Sequence, residues 1–176
     1  KFKQLSGDKS LSYNNLLDVD AAINITYGFN TKDNICSIIK HNTPCGASLK
    51  KNQLDSYLNA LSGDPLSAFG GVISFNKKLE KQTAKILIKN FYEVITAPNF
   101  DKDAIKILKT KRNLRVLKIK KTIKSIEKRS FFAGTLIQDA NKQISSVETI
   151  NGISEQTNLI RIGQAFELVG HNFMRS

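Results

Sequence analysis

The stretch GVISFNKKLEKQTAKILIKNFYEVITAP, residues 71–98, decides the fold class. It opens on a short apolar run at 71–75. It turns helical over 79–90, where Ala84, Leu87, Ile88 and Phe91 recur at inward spacing. It closes on a second apolar run, 92–96, that stops at Ala97-Pro98. Strand, helix and strand in immediate succession make a βαβ unit, which joins parallel strands of one sheet.

The alternation extends in both directions. Residues 101–111 read as a helix, 114–119 as a strand and 131–138 as another strand beyond a basic linker. Upstream, 15–28 reads as a helix with Leu16, Val19 and Ile23 inward, Asn14 or Asn15 as its cap and Gly28 as its stop. Residues 34–40 form an apolar run, read as a buried strand. Thr43-Pro44-Cys45-Gly46 reads as a loop, 49–61 as a helix with Leu54, Leu58 and Leu61 on one side, and 62–71 as a second loop. Residues 142–154 look irregular. A last helix is predicted over about 156–175, with Ile162, Ala165, Phe166, Val169 and Phe173 on one stripe. The pattern predicts an α/β fold with a mostly parallel sheet covered on both faces. No repeat or linker divides the chain.

Composition agrees. The 176 residues are 40% hydrophobic and 24% charged, a soluble globular balance too apolar for disorder. No run approaches the length of a membrane span, and the start at Lys1-Phe2-Lys3 has neither a signal-peptide core nor an initiator Met, which suggests a fragment. Two cysteines, Cys36 and Cys45, and two histidines give no metal-ligand spacing; the cysteines could pair, but a chain this long has no need of a disulfide. The expected compartment is the reducing cytoplasm. The net charge is +12, and most of it falls between Asp101 and Ser130, where twelve Lys and Arg face three acidic residues. Two readings fit that window: a footprint for RNA or another polyanion, or a solvated face. No aromatic is interleaved with its charges, as base stacking would require.

Three loops carry chemistry-bearing residues, and active sites in such sheets gather at the carboxyl ends of strands. In Lys40-His41-Asn42-Thr43-Pro44-Cys45-Gly46, an ammonium sits beside an imidazole. That pair suits proton transfer with a fixed positive charge for a developing oxyanion; it equally fits a surface Lys next to a His bonded to a turn. In Asp64-Pro65-Leu66-Ser67-Ala68-Phe69-Gly70-Gly71, glycines allow close backbone approach to a ligand and Phe69 offers a stacking ring; the alternative is a tight loop with Phe69 in the core. In Glu93-Val94-Ile95-Thr96-Ala97-Pro98, a carboxylate interrupts an apolar strand. It either bonds a ligand or faces solvent on an edge strand.

Taken together and in order, these loops resemble one family. Ser12-Tyr13-Asn14-Asn15-Leu16-Leu17-Asp18-Val19-Asp20-Ala21-Ala22 precedes them, and Lys111-Arg112-Asn113-Leu114-Arg115-Val116-Leu117 and Gly134-Thr135-Leu136-Ile137-Gln138-Asp139 follow. The whole series is similar to the AICAR transformylase domain of a bifunctional purine-biosynthesis enzyme whose other domain is an IMP cyclohydrolase. The resemblance covers nearly the whole chain but only the first half of that domain. The family's Arg-Tyr-Gly stretch would lie before Lys1, and its substrate-binding Asn just after Phe173-Met174-Arg175-Ser176. Residues 120–130 are more basic than the family pattern, and Phe131-Phe132-Ala133-Gly134 stands where Gly-Gly is usual.

The resemblance implies a three-layer α/β/α, cytidine-deaminase-like subdomain across 1–176, without the deaminases' zinc-ligand pattern. It implies formyl transfer from 10-formyltetrahydrofolate, the folate cosubstrate, to the 5-amino group of AICAR. Carried over by position, His41 handles the proton, Lys40 stabilises the oxyanion, and Phe69, Gly70, Glu93 and Asn15 contact the nucleotide. Asp18 matches the opening motif without an assigned role. The implied partners are AICAR, folate and a second copy in a homodimer, with no metal, membrane or nucleic acid. The isolated chain is expected to be inactive. The competing classes are a basic polyanion-binding module and an inactive half-domain scaffold.

Overall fold

A computed structural model describes residues 2–29, 31–120, 126–139 and 159–160. In chain order the elements are β1 (Phe2–Ser6), α1 (Tyr13–Gly28), β2 (Asn34–Lys40), β3 (Thr43–Lys50), α2 (Gln53–Leu61), β4 (Val72–Phe75), α3 (Lys81–Leu87), β5 (Val94–Ala97), α4 (Lys102–Leu108), β6 (Arg115–Ile119), β7 (Ile126–Phe131), β8 (Gly134–Asp139) and β9 (Leu159–Ile160). Seven strands form one sheet in the order β1-β6-β5-β4-β2-β3-β9. Strands β4, β5 and β6 are parallel, and antiparallel strands flank them on both sides. The fold is α/β.

Side chains alternate across the sheet, as the two-residue period requires. Cys36, Ile38, Ile73, Phe75, Ile95 and Val116 meet α2, α3 and α4 on one face. Ile39, Val72, Val94, Leu117 and Ile119 meet α1 on the other. Three layers result. Burial on both faces explains why β2, β4 and β5 read as continuous apolar runs.

Helix α1 starts at Tyr13 with Ser12 as its cap, ahead of the predicted caps Asn14 and Asn15. Ser12 Oγ accepts from Asn15 N, and Asn15 Oδ1 accepts from Ser12 N, both at 3.1 Å. This reciprocal box satisfies orphan donors at the helix start. The buried face is Asn15, Val19, Ala22, Thr26 and Tyr27, whereas Leu16 is exposed. The expected stripe is thus rotated about Val19. Besides the apolar row of Ile39, Val72, Val94, Leu117 and Ile119, the helix meets small hydroxyl groups: Thr26 and Ser37 share a hydrogen bond of 2.7 Å, and Ser37 Oγ donates to Ala22 O at 3.1 Å. In α2, capped by Asn52 Oδ1, the inward residues are Gln53, Ser56, Tyr57 and Ala60, and Leu58 is exposed. Phe91, expected inward, is also exposed.

The largest departure is at 43–50, expected as a loop and the start of a helix, and found as strand β3. Lys40 pairs with Thr43 across a two-residue reversal at His41-Asn42. Between Ile38↔Gly46 and Ile39↔Pro44 the register skips Cys45. That is a β-bulge, the place where a strand tolerates proline. The Pro-Cys-Gly punctuation therefore marks an irregularity within a strand. Strand β1 has no counterpart in the sequence reading. Helices α3 and α4 are shorter than 79–90 and 101–111, and the single strand expected at 131–138 is a hairpin, β7–β8, broken at Phe132-Ala133. Leu159–Ile160, inside the last predicted helix, pair with β3 as strand β9. The remainder of that helix and 142–154 lie outside the described residues.

Gly46 permits the bulged strand to lie against α2: a Cβ there would sit 2.0 Å from Ala60 O. Gly46→Ala is expected to destabilise the protein by about 3 kcal/mol or more through overpacking, read as a lower urea midpoint; an unchanged midpoint would rule the contact out.

Candidate functional site

Strand β2 runs against β4, so its end lies beside the beginnings of the parallel strands. The register aligns Ile39 with Val72, Val72 with Val94 and Val94 with Arg115. One rim of the sheet therefore carries Lys40 and His41 leaving β2, Phe69-Gly70-Gly71 entering β4, Glu93 entering β5 and Arg115 opening β6. The expectation of carboxyl-end loops holds for Lys40 and His41 only. Phe69, Gly70 and Glu93 sit at the amino ends of their strands, because β2 is reversed. With strands about 4.8 Å apart, neighbouring loops are within side-chain reach.

Lys40 Nζ donates to Phe69 O at 2.8 Å, which ties the end of β2 to the glycine loop. His41 and Asn42 both have left-handed backbones, φ +52° and +61°, the conformation of a type I′ hairpin turn. In a continuing strand, residues 40 and 41 would face opposite sides. The reversal at His41 brings both to one open cleft of about 350 Å³, shared with Thr43, Pro44, Cys45, Asp64 and Ser67. Asp18 Oδ1, from α1, accepts Asn42 N–H at 2.5 Å.

Phe69 is 62% exposed, so the core alternative does not hold. Its ring packs on Phe91 with centroids 5.2 Å apart. Gly70 has φ +74° and donates its N–H to Phe91 O at 2.8 Å; the backbone angle, more than space, requires glycine there. Asp64 Oδ1 accepts from Ser67 N at 2.9 Å. The hydrogen bonds from Ser67 hold the Asp64 carboxyl below the usual range, so the cleft carries a carboxylate opposite the Lys-His pair. Burial, then the Asp64 charge, pushes the Cys45 thiol up to about 11. Cys45 is therefore a neutral thiol at pH 7, not a nucleophile.

Glu93 immediately precedes β5, an interior strand of the sheet, so the edge-strand alternative does not hold. Its Oε2 accepts from Asn15 Nδ2 at 2.6 Å and lies 3.6 Å from Arg115 Nη1. Arg115 is buried, and its Nε donates to Ser10 O at 3.2 Å. Asn15 is buried with both ends of its amide engaged, by the helix cap and by Glu93. The sequence reading did not single out Asp18, Asp64 or Arg115 as site residues. All three stand inside the quoted motifs, and Arg115 is also one of the cations of the basic window. Of the described members of that window, Arg115 alone is buried; Lys102, Lys106, Lys109, Lys111, Arg112 and Lys118 are solvated.

The residues and their order match a known protein family. A family model described as "AICARFT/IMPCHase bienzyme" matches residues 1–162. The chain belongs to that family. It is 45% identical over 159 residues to the bifunctional purine biosynthesis protein PurH of Prochlorococcus marinus strain MIT 9515, covering 84% of this chain and 31% of the relative. It is 42% identical over 151 residues to the PurH protein of Clostridium beijerinckii, covering 85% and 30%. The chain spans about a third of the length of these relatives. Among the described residues, no group of three His, Cys, Asp or Glu side chains could hold a metal ion, and no helix is long and apolar enough to cross a membrane.

A thiol at about 11 rather than the ordinary 9 holds about a hundredfold less thiolate at neutral pH. Cys45 is expected to alkylate about a hundredfold more slowly at pH 7.5 than a free cysteine, with the rate still climbing through pH 10. Rapid labelling at pH 7.5, mapped by mass spectrometry, would contradict this.

Proposed function

We propose that this chain is the first cytidine-deaminase-like subdomain of an AICAR transformylase, part of a cytoplasmic, homodimeric enzyme that is also an IMP cyclohydrolase. The reaction is formyl transfer from 10-formyltetrahydrofolate to the 5-amino group of AICAR. Family membership supports the purine-biosynthetic role, and the observation that carries the chemistry is the convergence of Lys40 and His41 on one cleft.

The amine of AICAR is conjugated with its ring and carboxamide, so it is a weak nucleophile. As its nitrogen bonds to the formyl carbon, the carbonyl π pair moves to oxygen and the nitrogen becomes positive. His41 accepts the proton from that nitrogen; imidazole is the side chain suited to this near neutral pH. Lys40 uses one N–H on Phe69 O and has two further donors for the oxyanion. Collapse expels the folate nitrogen, which takes up a proton. Phe69 and Gly70 line the nucleotide pocket, and Glu93, oriented by Asn15, hydrogen-bonds the base. The folate contacts come mainly from parts of the enzyme beyond this chain.

In the complete enzyme, His41→Ala is expected to lower kcat by about 10²–10⁴-fold and Lys40→Met by about 10²–10³-fold, with unchanged circular dichroism and melting. Near-normal turnover in the His41 variant would overturn the assignment. The 176-residue chain alone is expected to form no formyl-AICAR, and measurable product would contradict the proposal that the site needs the rest of the enzyme.

A further inference from the structure

The turn that presents His41 is strained, and two of its three supports come from outside the hairpin. Left-handed backbone at a non-glycine residue is disfavoured, less so for Asn and His than for most. The favoured sequences for this turn place glycine at its second position, which here is Asn42. Such strain persists only where the surroundings over-determine it. Three contacts do so. Lys40 pairs with Thr43 across the turn. Lys40 Nζ is fixed to Phe69 O. Asp18 of α1 accepts the N–H of Asn42.

Asp18 does not act alone on α1. Asn15 lies one helical turn earlier, on the same face, and its amide holds the Glu93 carboxylate at 2.6 Å. The helix is itself anchored: Val19, Ala22 and Thr26 are buried against the sheet. A single packed element therefore reaches both ends of the rim, Glu93 entering β5 and the turn leaving β2.

We propose that Asp18 is a positioning residue for formyl transfer: by clamping Asn42 N–H it keeps the turn left-handed and His41 beside Lys40 in the cleft. This rests on the transformylase reading and deepens it. Asp18 need not touch either substrate, and its role is that of an acceptor at a fixed place rather than of a charge. Without the clamp, the turn relaxes toward more favourable backbone angles and the imidazole leaves its attack geometry. Displacements of about 1 Å cost about 10²-fold in rate.

The test uses the complete enzyme. Asp18→Ala is expected to lower kcat by about tenfold to a hundredfold while KM for AICAR moves little, because Glu93 and Asn15 are untouched. Asp18→Asn keeps an acceptor at the same position and recovers most of the loss. Asn42→Gly placed in the Asp18→Ala background supplies a residue that adopts the left-handed backbone freely, and it is expected to restore at least half of the lost rate on a logarithmic scale. Amide hydrogen exchange gives a readout independent of turnover: the peptide spanning residues 40–46 exchanges faster in Asp18→Ala than in Asp18→Asn. Wild-type kcat in Asp18→Ala overturns the proposal. So does a double variant no faster than Asp18→Ala, or exchange at 40–46 that does not change. Failure of the transformylase reading is separate: it shows as full activity in His41→Ala, whatever the Asp18 variants do.

Discussion

Strand β2 runs opposite to β4, β5 and β6, and the rim described above exists because of that reversal. In an all-parallel sheet, the loop leaving one strand and the loop entering the next lie at opposite ends of the layer. Reversing a single interior strand puts the end of β2 next to the beginnings of β4, β5 and β6. An ammonium and an imidazole from one segment, and an aromatic ring and a carboxylate from two others, then share one edge. Lys40 Nζ bonding Phe69 O is the direct expression of this neighbourhood.

The hairpin that follows β2 has to reverse within two residues, and the sequence offers His-Asn rather than Asn-Gly. Holding a non-glycine residue in the left-handed region costs of order 1–2 kcal/mol. The neighbouring bulge adds a second irregularity, and its extra residue, Cys45, faces the cleft. Strain, bulge and a bent strand thus concentrate at one end of β2 and β3, whereas the interior of the sheet is regular. The compensation comes from the layers: α1 seals one face through Val19 and Ala22, and α2 closes on β3 over Gly46.

What was legible in the sequence follows from this division. The regular interior was readable, because Val72–Phe75 and Val94–Ala97 are apolar runs of strand length between helical periods, and Arg115–Ile119 is a β-branched and leucine-rich segment of the same length after a helix. Inward faces were readable where apolar residues lined them, as with Ala84 and Leu87 of α3. They were misread where small polar residues face the sheet, as with Asn15 and Thr26 of α1 or Gln53 and Ser56 of α2, whose hydrogen bonds replace hydrophobicity. Strand β3 was misread because proline and glycine usually punctuate chains; a bulge that accommodates both has no periodic signal. The three loops were visible as segments, yet the meeting of Lys40 with Phe69 and of Glu93 with Asn15 is tertiary. Nothing local in Glu93-Val94-Ile95 says that Asn15 and Arg115 will meet that carboxylate.

The two ends of the rim differ in how finished they are. Around Glu93 the partners are in place: Arg115 and Asn15 are both buried, and the carboxylate is held by groups from two other elements. A charged group so oriented is ready to recognise a ligand without rearranging. Around His41 the situation is different. The imidazole is exposed, Phe69 is largely in solvent, and the cleft is open. Stabilising an oxyanion in contact with bulk water is weak, because a high dielectric screens the ammonium, and formyl transfer further requires that water not compete for the carbonyl. The chain spans about a third of its relatives' length, and the proposed chemistry asks the remaining surface for one thing above all, a cover over the Lys40–His41 cleft. Under that proposal Lys40, His41 and their scaffold belong to this segment, while the exclusion of water falls to a surface that this segment does not supply.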